Sequence, residues 1–228
     1  VDGNIVKNNI QKINAIFSVN PHLTFVFAFP QSRKYIGSGF LRFDQDEQLS
    51  VEKISVTGKN LESIGNSFCL DQNKITSVDL RCLTNLKNIG HLFLAGTGIT
   101  SLDLRGQTRV QTIGRRFLCG APLKDINLEP LSNVTHVGEY FLSRTPLREL
   151  NIGVMVNLDI VEPNFISNMP YLELLILGIR PGSHPSIGSY KYICDNPSLK
   201  HIVTLSQRVY EFIRAIFNDS VTVELAIG

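Results

Sequence analysis

Two Asp-x-Arg steps stand 24 residues apart in this 228-residue chain: Asp79 with Arg81, and Asp103 with Arg105. Carboxylates held close together raise the cost of ionising both, so one can serve as an acid while the other stays charged. Pairs of this kind cleave glycosidic bonds. The arginines supply a second reading, a ladder in which each carboxylate is offset by a neighbouring guanidinium; such networks imitate sites. Another set is apolar. Leu174, Ile176 and Val203, bordered by Tyr171 and His201, stand where earlier parts of the chain carry polar residues. An exposed apolar patch marks a binding site; the alternative is that the stretch 178–186 or the end of the chain covers it. A third set is basic: Arg109, Arg115, Arg116, Arg144 and Arg148. It suits a phosphate, an acidic partner or a sulfated glycan. It also reads as a solvated face, because Glu139 and Glu149 lie among these residues.

Other chemistries are poorly supported. The histidines (His22, His91, His136, His184 and His201) fall in different sequence contexts without metal-ligand spacing. There is no H-E-x-x-H, C-x-x-C, P-loop or G-x-S-x-G motif. The sequence therefore assigns no catalytic residue, no metal and no cofactor. A net charge of +2 does not suit a nucleic-acid binder, and the arginines lack interleaved aromatic platforms. With 43% hydrophobic and 18% charged residues the chain can bury a sizeable core. No apolar run approaches the ~20 residues of a membrane helix. The chain begins at Val1, so a removed leader is compatible with it.

The elements that position these residues come from a repeat. An aliphatic-Gly-x-x-aromatic motif appears as Ile36-Gly37 with Phe40, Ile64-Gly65 with Phe68, Ile89-Gly90 with Phe93, Ile113-Gly114 with Phe117, and Val137-Gly138 with Phe141. Val161-Glu162 with Phe165 loses the Gly, and Ile187-Gly188 with Tyr192 carries one extra residue. The aromatic positions 40, 68, 93, 117, 141, 165 and 192 differ by 28, 25, 24, 24, 24 and 27. Downstream of each aromatic lie aliphatics two apart: Val78/Leu80, Leu102/Leu104, Ile126/Leu128, Leu150/Ile152 and Leu175/Leu177. Period two means one short strand per repeat, with these residues facing inward. Stacked repeats then bury a continuous core that one alone cannot. The phenylalanines predict a spine. The Gly column predicts either positive φ or close backbone approach.

The residues between the inward ones share the outer face of the strands: Lys53/Ser55, Ser77/Asp79, Ser101/Asp103, Asp125/Asn127, Glu149/Asn151, Leu174/Ile176 and His201/Val203. The candidate binding set is Asp79, Asp103, Asp125, Glu149, Leu174, Ile176 and His201. The ends differ from the repeats, as caps do. Ile5, Ile10, Ile13 and Phe17 predict an amphipathic helix over 4–17, followed by a strand over 23–29. Val209, Phe212, Ile213 and Ile216 predict a helix over 207–217 before a last strand over 221–227. The organisation is a single solenoid domain over 1–228: an N-terminal cap (1–33), repeats (34–205) and a helix-strand cap (206–228). Cys69 falls in an inward column. Cys119 and Cys194 share a column three rungs apart, roughly 14 Å at strand spacing, too far for a disulfide. No disulfide is expected. Two glycosylation sequons begin at Asn133 and Asn218.

The columns L-x-x-I-G-x-x-F and L-x-x-L-x-L resemble the leucine-rich repeats of the BspA-like (Treponema-type) class. The 24-residue form, with Leu128-Glu129-Pro130-Leu131-Ser132-Asn133-Val134 and Tyr140-Phe141-Leu142, is also similar to kinetoplastid and other protist repeat proteins. The resemblance covers about residues 34 to 204. It departs from the bacterial pattern in lacking a Cys at a fixed distance after most aromatics. In place of the fixed Asn after the strand it has Asn60, Asn85, Asn133 and Asn157 before the next repeat, interrupted by Arg109. The resemblance implies an α/β, β-rich leucine-rich-repeat solenoid with one parallel sheet and capped ends. It further implies a non-enzymatic module binding a protein or glycan, often at a cell surface or secreted. The other readings are an intracellular scaffold or effector subunit, and a carbohydrate-active solenoid using Asp79 and Asp103.

Overall fold

The computed structural model describes residues 3–43, 48–178, 193, 195–217 and 220–226. Along the chain run α1 (Gly3–Lys7), α2 (Ile10–Val19), β1 (Thr24–Ala28), β2 (Tyr35–Ile36), β3 (Lys53–Thr57), β4 (Ser63–Ile64), β5 (Ser77–Asp79), β6 (Asn88–Ile89) and β7 (Thr112–Ile113). There follow β8 (His136–Val137), β9 (Glu149–Asn151), β10 (Ile160–Val161), β11 (Leu174–Leu177), β12 (His201–Thr204), α3 (Gln207–Phe217) and β13 (Thr222–Leu225). All strand pairings are parallel, as a solenoid requires. The L-x-L segments form two sheets, ordered β1-β3-β5 and β13-β12-β11-β9. The expected single sheet is therefore interrupted where residues 101–103 and 125–127 stack without forming strands.

A further sheet arises where the sequence reads as turn. The aliphatic of each aliphatic-Gly step pairs with its counterpart in the next coil, giving the order β10-β8-β7-β6-β4-β2. Ile64 stands opposite Ile89, Ile89 opposite Ile113, and Ile113 opposite Val137. Two-residue strands are too short to show a period. They form because stacking lays each stretch beside its copy, where buried backbone groups must find partners.

Between the two ladders lies the core. Phe40, Phe68, Phe93, Phe117 and Phe141 stack with centroids 5.3–5.5 Å apart and planes within 18° of parallel. Phe165 continues the column, buried. Leu80, Leu104, Leu128 and Ile152 fill the other side, and one apolar cluster runs from Val6 to Val221. Cys69 is buried among them, and burial pushes its thiol well above the usual range. Cys69, Cys82 and Cys119 are free thiols; Cys194 lies outside the described residues, as do the seventh motif at 187–192, His184 and the sequon at Asn218.

The turn around each phenylalanine is built from left-handed backbone. Ser67, Leu92, Arg116, Tyr140 and Asn164 precede the aromatic with φ of 57–61°, and Cys69, Leu94, Leu118 and Leu142 follow it with φ of 53–56°. This conformation costs an L-residue about 1–2 kcal/mol. It persists because it aims amides at adjacent coils: Leu92 N–H donates to the Arg115 carbonyl (2.8 Å), and Leu94 N–H donates back to Phe68 (2.9 Å). Arg144 occupies a third such position, exposed, with φ 59°. Its N–H donates to the Asn168 carbonyl at 2.8 Å, a bond glycine keeps. Arg144→Gly is therefore expected to stabilise the fold by about 0.5–1 kcal/mol, read as a raised urea midpoint.

The caps differ from expectation at one end. The N-terminal helix is broken into α1 and α2, where Asn9 turns its amide onto the Ile5 carbonyl at 2.9 Å. The break leaves Ile5 exposed and buries Val6 in its place. At the other end α3 has the predicted bounds and buries Val209 and Ile213.

Candidate functional site

Strand register sets the outer-face rows within β3 and β5 and within β9, β11 and β12. Lys53 stands opposite Ser77, and Ser55 opposite Asp79. Glu149, Leu174 and His201 form one row, and Asn151, Ile176 and Val203 the next. From β5 through the sheet break to β9, four residues at equivalent positions share a local role. Oδ1 of Asp79, Asp103, Asn127 and Asn151 accepts the backbone N–H two residues on, at 3.0, 3.0, 2.9 and 2.9 Å. These are Asx turns, in which the short side chain takes the place of a backbone acceptor and turns the chain away from the rung.

Asp79 and Asp103 each hold a second partner. The Arg81 guanidinium meets Asp79 through Nε and Nη2, both at 3.0 Å, and Arg105 meets Asp103 at 3.0 and 2.8 Å. Arg105 draws the Asp103 carboxyl down to about 2, and Arg81 lowers that of Asp79. Of the two readings of this pair, the geometry is that of the ladder: each carboxylate is tied to its own arginine, which favours its ionised form. Neither has the raised affinity for a proton that a general acid needs. A lowered carboxyl pKa stabilises the fold above the unfolded value near 4, and that contribution is lost as pH falls toward 2. Asp103→Asn keeps the Asx turn, as Asn127 and Asn151 do. It is expected to cost only about 0.2–1 kcal/mol at pH 7. The difference from the parent should vanish below pH 2, which urea melts at two pH values would measure.

Asp125 and Glu149, in the first row, have no such partner. Neither takes part in a hydrogen bond or ion pair among the described residues. They stand on a groove of about 830 Å³ whose lining includes Leu174, Ile176, Ile126, Pro122 and Pro146, together with Lys124. Arg148 reaches the rim and pairs with Glu173 at 2.6 Å, a carboxylate it shares with Lys200 at 2.9 Å. Four of the seven candidate residues are thus gathered: Asp125, Glu149, Leu174 and Ile176. Leu174, Ile176 and Val203 are half-buried. Asp79 and Asp103 lie outside this groove, on earlier rungs. His201 lies one rung beyond Leu174, its Nε2 turned to Glu224 at 3.1 Å. Sequence reading missed Lys124 and Ile126, because neither belongs to the outward rows.

The basic residues are not brought into one site. Arg109 donates to Asn85 at 2.7 Å, and Arg148 pairs with Glu173 on another face. Arg116 lies over the Tyr140 ring, 5.5 Å from its centre. The asparagine column is structural: Asn60, Asn85, Asn133 and Asn157 donate amides to carbonyls of the preceding coil at 2.8–3.0 Å. Asn133 of the described sequon is exposed, yet its amide nitrogen is engaged with the Thr108 carbonyl at 2.8 Å. Among the described residues no three His, Cys, Asp or Glu side chains gather to hold a metal ion, and no helix is long and apolar enough to cross a membrane.

Parallel ladders, a stacked aromatic spine and an outer row of polar residues define a leucine-rich-repeat solenoid. The chain belongs to the BspA type leucine rich repeat region family, whose repeat matches in six copies over residues 43–173 and 106–224. No curated protein matches the sequence. Among solved structures it is similar to a leucine-rich repeat protein from Bacteroides ovatus, at 16% identity over 89% of this chain and 55% of that one, with a TM-score of 0.43. It is similar to the pneumococcal vaccine antigen PcpA at 12% identity, covering 89% and 79% of the two chains, TM-score 0.31. A chain of the Drosophila Toll–Spatzle complex is similar at 15% identity over 77% and 30%, TM-score 0.27. The chain thus spans little more than half the length of the Bacteroides protein.

Proposed function

We propose that this chain is a non-enzymatic recognition module, displayed on a cell surface or secreted, that holds a protein partner against its outer strand face. The observation that carries the reading is the contrast within that face. On rungs 79 and 103 the carboxylates are neutralised by their own arginines, whereas Asp125 and Glu149 have no partner among the described residues beside half-buried Leu174 and Ile176. Half-buried aliphatics rimmed by charge are what a binding surface offers a partner. Membership of a repeat family of interaction modules agrees with this.

The test is the double variant Leu174→Asp with Ile176→Asp, assayed against the partner recovered by cross-linking on the native source. A protein that melts within a few degrees of the parent but no longer holds the partner supports the reading. Unimpaired binding overturns it. If the double variant unfolds, Asp125→Lys with Glu149→Lys replaces it, since these side chains make no hydrogen bond or ion pair among the described residues. Location is tested by protease treatment of intact cells. Cleavage while cytoplasmic markers survive supports display, and protection until lysis overturns it.

A further inference from the structure

We infer that the outer edge of β1 pairs with the same edge of a second copy, antiparallel about a two-fold axis at Val26, and joins two solenoids into a dimer.

The edge follows from hydrogen bonds and topology. β1 ends its sheet and pairs with β3 alone. Phe29 N–H donates to the Thr57 carbonyl at 2.8 Å. The backbone groups of successive strand residues point to opposite sides. Phe25 and Phe27 therefore face β3 as Phe29 does, and Thr24, Val26 and Ala28 face away. On that side their N–H and C=O groups find no hydrogen-bond partner among the described residues. No repeat coil stands there, since residues from Gly3 to Val19 form α1 and α2. Thr24, Val26 and Ala28 are all exposed.

Folded proteins blunt such edges with short strands, charge or proline. The other terminal strands do so. β2 ends the six-stranded ladder with two residues, directly after Arg33 and Lys34, and β13 carries Glu224. β1 reads Thr-Phe-Val-Phe-Ala, with no charge and no proline. Pro21 and Pro30 flank the strand without interrupting it.

Symmetry and area select a second copy as the occupant. A two-fold axis at Val26 sets Val26 opposite its own counterpart and Thr24 opposite Ala28 of the second copy. Each opposed pair exchanges two N–H to carbonyl bonds, about six in all. One patch thus serves both sides, as a two-fold interface requires. The facing strands are uncharged, so no like charges oppose one another across them. The surface beside the edge is apolar as well. Ile16 and Val19 point out from α2 on either side of buried Phe17, and Leu23 leads into β1 through a turn closed by its N–H on the Asn20 carbonyl at 3.2 Å. With Val26 these side chains are 41–75% exposed. A terminal cap ordinarily shows water a polar face. The four side chains offer about 400 Å² per copy; doubled, and with the strand backbones added, this reaches the ~1,200 Å² of a stable interface.

The test is sedimentation equilibrium of the full chain at about 1 to 100 μM. A monomer–dimer equilibrium is expected, the dimer having twice the 25.4 kDa of one chain. Val26→Pro keeps every bond to β3, because the Val26 N–H faces outward and proline is tolerated at such an edge. It should weaken association about 30-fold or more, since two main-chain bonds are lost at the axis. Val26→Lys leaves the backbone intact and opposes like charges at the axis; it decides the matter if the proline variant melts well below the parent. Val26→Cys, oxidised, should give a disulfide-linked dimer in excess of any formed by the parent, whose Cys82 is exposed. A chain that stays monomeric overturns the inference, as does a dimer that Val26→Lys leaves intact or Val26→Cys fails to cross-link. Species that grow beyond the dimer with concentration also overturn it, because they require pairing of β1 with a different edge, such as β13.

Discussion

Phe117→Ala is expected to lower the unfolding free energy by about 3–5 kcal/mol, the range for emptying a fully buried aromatic site. Phe117 has no exposure and lies between two rings, 5.5 Å from Phe93 at 8° and 5.3 Å from Phe141 at 11°. Truncation removes both stacking contacts, each worth about 0.5–1.5 kcal/mol beyond area burial. It also leaves a cavity that the coils cannot close. Leu118 N–H is held to the Phe93 carbonyl at 2.9 Å, and Leu142 N–H to the Phe117 carbonyl at 3.0 Å, so spacing at the spine is set by backbone bonds. In a stacked array each repeat is stabilised by its neighbours, so a central gap weakens two interfaces at once. Phe117→Leu, which returns most of the volume, is expected to cost about half as much or less. Urea denaturation of the three proteins checks both the size and the order. Equal midpoints for the parent and Phe117→Ala would mean the spine contributes little.

Gly138→Ala is the second large effect, and it acts through close approach. Gly138 does not have positive φ, so the choice offered by the Gly column resolves to space. A Cβ at Gly138 would stand 2.4 Å from the Arg115 nitrogen and 2.8 Å from the Gly114 carbonyl carbon. Both contacts are backbone, so no side chain can turn aside, and the two coils must part. Parting them stretches the Gly138 N–H bond to the Ile113 carbonyl, now 2.9 Å, within the six-stranded ladder. Overpacking of this kind costs about 1–3 kcal/mol, or more where the backbone itself must move. Gly37 supplies the internal control. It holds the same place in the first copy of the motif, beside the terminal strand β2, lacks positive φ, and a Cβ there meets nothing within 4 Å. Gly37→Ala is expected to be neutral or to stabilise by up to about 1 kcal/mol through the unfolded chain. The two alanine substitutions should thus differ in sign in thermal melts. Similar losses at both positions would mean the column serves something other than close approach.

The candidate site was legible in part. Asp125, Glu149, Leu174 and Ile176 could be placed on the outer face because period two in a strand fixes the side to which a residue points. That Asp79 and Asp103 are neutralised was also readable, since Arg81 and Arg105 follow two residues later in each case. The turn role of their row was present too, in the run Asp79, Asp103, Asn127 and Asn151, all types whose short side chains bond their own backbone. The groove was not legible. It depends on where the ladder is broken, and residues 101–103 and 125–127 carry the same alternation as the rungs that pair.

The amino-acid sequence by itself determined the coil length, the inward columns, the phenylalanine spine and α3. Each follows from the spacing of apolar residues along the chain, and spacing is a one-dimensional property. Only the tertiary structure decided the ladder of two-residue strands, the left-handed backbone at Leu92, Arg116 and Tyr140, and the break in the outer ladder between β5 and β9. These depend on where a backbone amide finds its acceptor. In a solenoid that acceptor lies about one coil away, on a residue whose side chain carries no mark of the bond.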